Sequence, residues 1–191
     1  GDGARGRDDL AGGGATVTRP VVGIDPSLTG TGLAYGGESE KILTAKASTV
    51  RGQLQRMNTI ASRVALHVPD GALVVMEGPA LGRGAQAWHH VLGGLWWILA
   101  ATVVNRGATL VEVPPKTLKK FATGNGNADK AAMCAAWFEH TGQAITDHDR
   151  ADALWCRQVG LHLVGAGEAL DLPPRQLAAA EGLRDQLPTT G

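Results

Sequence analysis

Residues 21 to 35 read Val21-Val22-Gly23-Ile24-Asp25-Pro26-Ser27-Leu28-Thr29-Gly30-Thr31-Gly32-Leu33-Ala34-Tyr35, and they carry the strongest structural signal in the chain. Two apolar runs flank a segment rich in Pro, Ser, Thr and Gly, which is the composition of a tight turn between two strands. Asp25 ends the first strand, where a carboxylate is costly to bury unless a positive group meets it. Asp25 is therefore a candidate metal ligand, although an Asp that merely starts a turn before Pro26 would look the same in isolation.

The rest of the pattern alternates between strands and helices. Strands are predicted at 20–25, 31–36 and 41–47, forming a meander, and later at 72–77 and 108–113. Helices are predicted at 50–68, at 85–105, after Pro114-Pro115, at 128–140 with Asn127 as its cap, and at about 147–163. This order predicts an α/β fold with a central five-stranded mixed sheet flanked by helices.

Composition favours one globular domain between two tails. The 191 residues are 43% hydrophobic and 19% charged, which is typical of a soluble protein. We expect a disordered tail at residues 1–19, a globular domain at 20–165, and a loosely attached tail or short helix at 166–191. The pattern predicts neither a membrane span nor a signal peptide, and two widely spaced cysteines indicate a reducing cytoplasm.

Three further carboxylates join Asp25 as candidate ligands. Glu77 ends a second apolar strand, and the C-terminal ends of neighbouring parallel strands lie together. Asp149 and Asp152 are three residues apart and would share one face of the last helix. Four carboxylates in one place would repel one another, which a hard divalent cation relieves. The set predicts Mg²⁺ or Mn²⁺ with two ions per active site, and two such ions about 4 Å apart can activate water and stabilise the leaving oxygen in phosphodiester cleavage.

The charge distribution suggests a surface for phosphates. The net charge of the whole chain is zero, yet residues 83–130 carry six basic and two acidic side chains, a net charge of +4. The basic side chains are Arg83, Arg106, Lys116, Lys119, Lys120 and Lys130. Clustered on one face they would attract a polyanion, whereas scattered they would be ordinary surface charges.

These motifs together resemble the RuvC-type Holliday-junction resolvases of the ribonuclease-H-like nuclease superfamily. The matching pieces are the run 23–32, Met76-Glu77, and the run 149–154 of the last helix, within residues 20–165. The resemblance implies a homodimer that makes paired nicks in branched DNA with Mg²⁺ or Mn²⁺ and leaves 5′-phosphate and 3′-hydroxyl ends. It implies a metal-binding tetrad of Asp25, Glu77, Asp149 and Asp152.

The resemblance also assigns roles to basic residues. Lys119 and Lys130 are similar to the family's two functionally important lysines, and would approach the scissile or a neighbouring phosphate. Lys116 and Lys120 would make nonspecific phosphate contacts, and Arg83 is a further candidate. Relatives often carry an aromatic residue after the acid of the fourth strand, but Glu77 is followed by Gly78 and Pro79. The missing aromatic and the small size would suit a phage-encoded member.

Other functions remain open at this stage. The same fold could cut flaps, forks or three-way junctions, or could bind branched DNA without cutting it. The turn after Asp25 also resembles the first phosphate loop of actin and sugar kinases, but no second loop of that type follows. His148 could join a metal site or assist proton transfer, or could simply be exposed. The surplus of apolar surface suggested by Trp96 and Trp97 favours a homodimer.

Overall fold

The structure, a computed structural model, describes residues 19–79 and 86–189, and of residues 86–89 only the backbone. The strands are β1 (Val21–Asp25), β2 (Thr31–Tyr35), β3 (Glu38–Ile42), β4 (Leu73–Glu77) and β5 (Thr109–Val113). The helices are α1 (Val50–Leu66), α2 (Gln86–Asn105), α3 (Pro115–Thr123), α4 (Lys130–Thr141), α5 (His148–Val164) and α6 (Pro174–Leu177), followed by a 3-10 helix (Glu181–Gln186).

The strands form one mixed sheet in the order β3-β2-β1-β4-β5. The meander β1-β2-β3 is antiparallel, and β4 and β5 run parallel to β1. One side of the sheet packs against α3, α4 and α5, and the other packs against α1 and α2. Both faces are covered, so the central strands are almost wholly buried. The predicted five-stranded α/β fold is confirmed.

The third strand is shorter and earlier than the sequence suggested. It was predicted at 41–47, yet it spans Glu38–Ile42 and pairs Glu38 with Tyr35 of β2. Gly36 and Gly37 both have positive φ and make a two-residue hairpin turn, so pairing begins at once after them. Because β3 is a polar edge strand, its residues give no hydrophobic pattern, and the apolar pair after Lys41 shifted the prediction.

Helix α5 lies unusually close to the sheet at two glycines. A Cβ atom at Gly32 of β2 would lie 1.9 Å from the carbonyl oxygen of Asp149, and one at Gly23 of β1 would lie 2.0 Å from that of Ala153. Only glycine fits at either position. Helix α5, which carries the candidate ligands Asp149 and Asp152, therefore packs directly on β1, which ends at Asp25, and on the neighbouring β2.

The described termini differ from the expected tails. Residues 1–18 of the predicted N-terminal tail lie outside the described residues, whereas Arg19 donates a hydrogen bond to the carbonyl of Gly71. At the other end, the segment predicted as a loosely attached tail or short helix contains the short helix α6. Leu172, Ala180 and Leu183 are buried in the core, so the described part of this segment, up to residue 189, packs on the domain. The few apolar residues of that segment pack against the core of the same chain, and the composition of the segment alone does not indicate this contact.

Two local predictions for the helices can also be compared with the structure. Pro115 begins α3 as expected. The predicted cap of α4, Asn127, is wrong, because Asp129 holds that position and accepts a hydrogen bond from the amide of Ala132. No helix in residues 19–79 or 86–189 is long and apolar enough to cross a membrane.

Candidate metal centre

Three carboxylates meet at one end of the two central parallel strands. The parallel register pairs Ile24 with Met76, which places Asp25 of β1 beside Glu77 of β4. Asp152, in the second turn of α5, completes the group from above the sheet. One carboxylate oxygen from each residue lies within 4.8 Å of the other two. The sequence prediction that Asp25 and Glu77 stand side by side therefore agrees with the geometry.

Burial and mutual repulsion disfavour three negative charges in this cluster. Burial, followed by the charges of Glu77 and Asp152, raises the pKa of Asp25 well above its usual value. Burial raises the pKa of Glu77 to about 7, and it raises that of Asp152 to about 6. Without a cation, the neighbouring charges of Asp25 and Glu77 repel each other, which favours a proton on one of the two carboxyl groups. A divalent cation removes the need for that proton.

The donor set fits a hard divalent cation. All three ligands offer carboxylate oxygen, the donor preferred by Mg²⁺ and Mn²⁺, and no cysteine or histidine belongs to the group among the described residues. Their separation within 4.8 Å allows a single ion to contact all three oxygens. The residues present therefore fit a hard divalent cation of the kind that the sequence predicts.

Two of the predicted lysines act on this cluster electrostatically. The positive charges of Lys119 and Lys130 oppose the rise in the pKa values of both Glu77 and Asp152. Lys119 is half-buried in the second turn of α3, and Lys130 is exposed at the first position of α4. Lys116 and Lys120 are exposed on α3. Lys119 of α3 and Lys130 of α4 thus lie near the three carboxylates.

Asp149 lies next to the cluster but outside its closest group. Its charge raises the pKa values of Asp25 and Asp152, so it is near both. Its Oδ2 atom nevertheless lies 2.6 Å from Nζ of Lys41 on β3, and Lys41 also lies 3.2 Å from Asp147. Of the four predicted ligands, the structure brings three together and pairs the fourth with a lysine.

Two buried residues that the sequence did not single out for the site, Trp96 and Cys156, lie next to the carboxylates. Trp96 of α2 is buried and donates a hydrogen bond of 3.0 Å from Nε1 to the backbone carbonyl of Glu77. It lines a cavity of about 90 Å³ beside Asp25 and Glu77. Cys156 lies one turn after Asp152, and burial and then the neighbouring carboxylates raise its thiol pKa well above its usual value. Trp96 belonged to a helical apolar stripe, a pattern that indicates core packing and gives no sign of this hydrogen bond.

Two remaining candidates are placed as follows. Arg83 lies outside the described residues. His148 is exposed at the first position of α5, and its Nδ1 lies 3.4 Å from Sγ of Cys134. His148 is not among the three residues whose ligand atoms lie within 4.8 Å of one another.

The sheet order and the carboxylates at the ends of β1 and β4 define a protein of the ribonuclease-H-like class. Two solved structures share this fold. One is RuvC of Thermus thermophilus, with a TM-score of 0.58, 20% identity and coverage of 72% of this chain and 90% of that one. The other is T. thermophilus RuvC in complex with a Holliday junction substrate, with a TM-score of 0.58, 21% identity and coverage of 73% of this chain and 91% of that one. No model of a known protein family matches the chain.

Curated relatives identify the family. The crossover junction endodeoxyribonuclease RuvC of Nocardia farcinica is 32% identical over an alignment of 147 residues, with coverage of 70% of this chain and 76% of the relative. That of Salinibacter ruber is 30% identical over an alignment of 148 residues, with coverage of 70% of this chain and 80% of the relative. This chain belongs to the RuvC family of crossover junction endodeoxyribonucleases.

Proposed function

We propose that this protein is a metal-dependent, structure-selective endonuclease that nicks branched DNA, with four-way junctions as its principal substrate. The observation that carries the proposal is the group formed by Asp25, Glu77 and Asp152, whose carboxylate oxygens lie within 4.8 Å of one another near two lysines, one on α3 and one on α4. Nothing in a structural role would select a repulsive, buried group of acids. Membership of the RuvC family supports branched DNA as the substrate class.

The chain's own side chains divide the work of phosphodiester hydrolysis. A Mg²⁺ or Mn²⁺ ion bound here, or a pair of such ions, would supply an activated water and stabilise the leaving oxygen. Asp25, Glu77 and Asp152 hold that charge at the ends of two rigid strands and one helix. Lys119 and Lys130 neutralise charge on the attacked or neighbouring phosphate, which matters most when negative charge develops there. The products carry 5′-phosphate and 3′-hydroxyl ends.

The remaining basic residues bind the DNA backbone. Lys116 and Lys120 are exposed on the same helix as Lys119. Phosphate contacts of this kind orient the duplex without reading its sequence. Arg83 belongs to the same set by its charge and its place in the sequence after β4.

The protein acts as a homodimer through the face formed by α1 and α2. Trp97 is 71% exposed on α2, and a cavity of about 560 Å³ is lined by residues of both helices, Val50 and Leu54 of α1 among them. On α1, Val50 and Leu54 are 79% and 49% exposed. Exposed large apolar side chains on two neighbouring helices favour this face as an interface. Two copies joined here would carry two metal centres, as paired nicks across a junction require.

A cleavage assay on a panel of substrates tests the proposal. Labelled four-way, three-way, flap and linear duplex DNA are incubated with the protein in Mg²⁺, Mn²⁺ or EDTA. We expect metal-dependent nicks at symmetric positions in the four-way junction. Preferential cutting of flaps or three-way DNA would instead select the alternative of a same-fold nuclease with another substrate, and binding without any cutting would select a silent binding module.

A matched pair of variants assigns the activity to the cluster. Asp25→Asn removes one charge from the site and should abolish cutting while junction binding persists. Asp171→Asn removes the same charge from an exposed position outside the cluster and should cut like the wild type. Retained cutting by Asp25→Asn would contradict the assignment of Asp25 to the metal centre.

A further inference from the structure

Lys41 is placed in the sheet so that it faces the metal centre across a glycine. The register pairs Asp25 of β1 with Gly32 of β2, and pairs Gly32 with Lys41 of β3. Side chains at paired positions of neighbouring strands project from the same face of the sheet. Asp25 and Lys41 therefore stand on the face that α5 covers, two strands apart, with no side chain between them.

Asp149 occupies the space between these two residues. Its backbone carbonyl lies directly over Gly32, where a Cβ atom would approach it to 1.9 Å. Its Oδ2 atom lies 2.6 Å from Nζ of Lys41, and its charge also acts on Asp25 and Asp152. The Asp149 carboxylate is thus close both to the Lys41 ammonium and to the three carboxylates that would hold a cation.

The pair formed by Lys41 and Asp149 is fixed by its surroundings. A Cβ atom at Gly30, in the turn after Asp25, would lie 2.2 Å from Cε of Lys41 and 2.7 Å from Oδ2 of Asp149. The Lys41 stem therefore packs against this turn. The side chains of Lys41 and Asp149 are only 29% and 19% exposed. Solvent screening is weaker here than for an ordinary surface ion pair.

We propose that Lys41 is a positioning residue that holds Asp149 outside the three-carboxylate group and so weakens the binding of a second cation. The inference rests on the proposed metal centre. A first ion needs only Asp25, Glu77 and Asp152, which are already together. A second ion that uses Asp149 would share its carboxylate with the Lys41 ammonium, which lies 2.6 Å from Oδ2. The two positive charges repel each other at that distance, so the ion binds more weakly than it would without Lys41.

A second contact between β3 and α5 does not involve a candidate ligand, and it supplies the control. Arg150 of α5 donates a hydrogen bond of 3.1 Å to the hydroxyl of Ser39 on β3, two residues before Lys41. Both contacts attach the start of α5 to the edge strand, but only the contact from Lys41 engages a candidate ligand. Ser39→Ala therefore removes attachment without changing the charge near Asp149.

Titration of the purified protein with Mn²⁺, followed by electron paramagnetic resonance in the absence of DNA, tests the proposal. We expect a tighter and a weaker class of Mn²⁺ site in the wild type. In Lys41→Met the weaker class should tighten by about three- to tenfold, the change expected when a partly screened ion pair stops competing. Lys41→Arg, which keeps the ion pair, should restore weak binding, and Asp149→Asn should remove the weaker class in every background.

The outcomes separate this proposal from the function on which it rests. Mn²⁺ affinities that are unchanged or weakened in Lys41→Met, a single class of site in both proteins, or the same tightening in Ser39→Ala would each overturn the role of Lys41. The metal centre itself would fail differently, because the wild type and Asp25→Asn would then bind Mn²⁺ equally. Tightening in Lys41→Met with wild-type behaviour in Lys41→Arg and Ser39→Ala supports the proposal.

Discussion

At the scale of single residues, the chemistry depends on acids that the fold keeps close together against their repulsion. Burial raises the pKa values of Asp25, Glu77 and Asp152, and the lysines of α3 and α4 only partly oppose the rise at Glu77 and Asp152. The folded chain therefore binds protons at this site that the unfolded chain does not. A cation and protons compete for the same oxygens, which makes the stability of the protein depend on pH in a defined direction.

We predict that the protein in EDTA melts at a higher temperature at pH 5.5 than at pH 8. Unfolded Asp and Glu titrate near pH 4, whereas Glu77 and Asp152 titrate at about 7 and about 6 when folded. Between these values the folded state holds more protons, so stability falls as the pH rises through that window. Mn²⁺ should raise the melting temperature more at pH 8 than at pH 5.5. Scanning fluorimetry measures both, and a Mn²⁺ effect that is larger in acid would contradict the cluster as the binding site.

The lysines should separate into two kinetic groups. Lys119→Met or Lys130→Met should lower the single-turnover cleavage rate at saturating enzyme by roughly 10²-fold, because each removes a charge that, in the proposed function, neutralises the reacting phosphate. Lys116→Met should instead weaken junction binding and reduce the slope of log K against log salt by about one, with little change in the saturated rate. Equal effects of all three variants on binding alone would assign Lys119 and Lys130 to the DNA backbone.

At the scale of elements, the position of α5 on the sheet sets the site. The close approach at Gly23 and Gly32 leaves no room for a side chain and brings Asp152 over the ends of β1 and β4. The hydrogen bond from Trp96 to the Glu77 carbonyl joins α2 to the same point from the opposite face. Two helices from opposite sides of the sheet thus fix the ends of the central strands.

Gly32→Ala should destabilise the protein by about 3 kcal/mol or more, because its methyl group would overlap the Asp149 carbonyl and the backbone of α5 cannot yield as a side chain would. Gly167→Ala is the matched control, since it adds the same methyl group where no atom lies within 4 Å. Urea denaturation measures both. A Gly32→Ala protein with wild-type stability would mean that α5 does not rest on β2 as described.

Sequence reasoning succeeded where hydrophobic pattern and strand order fix positions together. Asp25 and Glu77 each end an apolar run, and parallel strands align such ends, so their proximity follows from pattern alone. Lys41 could not be found in this way, because a polar edge strand carries no pattern and its partner Asp149 lies far along the chain. The packed segment around Leu172 and Leu183 was missed for a related reason, since a few apolar residues are informative only once the surface they cover is known.

At the scale of the whole molecule, the metal centre and the proposed dimer surface belong to different layers. The acids and lysines lie with α3, α4 and α5, whereas the exposed Trp97 lies on α2, on the other side of the sheet. Trp97 packs edge to face on Trp96, which in turn contacts the Glu77 backbone. Loss of the dimer would therefore remove the paired cuts and would also affect the position of Glu77 through Trp96 of α2.

Trp97→Glu should convert the protein from dimer to monomer, because a charge placed in the centre of an apolar interface is costly to bury. Light scattering after gel filtration measures the mass. The monomer should nick one strand of a junction without the coordinated second nick. Phe138→Glu changes a 55% exposed aromatic residue on α4 and should leave the dimer intact. A wild-type protein that is already monomeric, or a dimer that survives Trp97→Glu, would contradict this surface.

Diffraction from a crystal soaked in Mn²⁺ tests the metal centre most directly. If Asp25, Glu77 and Asp152 hold the cation, an anomalous difference peak lies among their carboxylate oxygens at distances of about 2.0–2.3 Å, and it is absent from Asp25→Asn crystals treated in the same way. An anomalous peak elsewhere on the molecule, with none among these three side chains, would contradict the account.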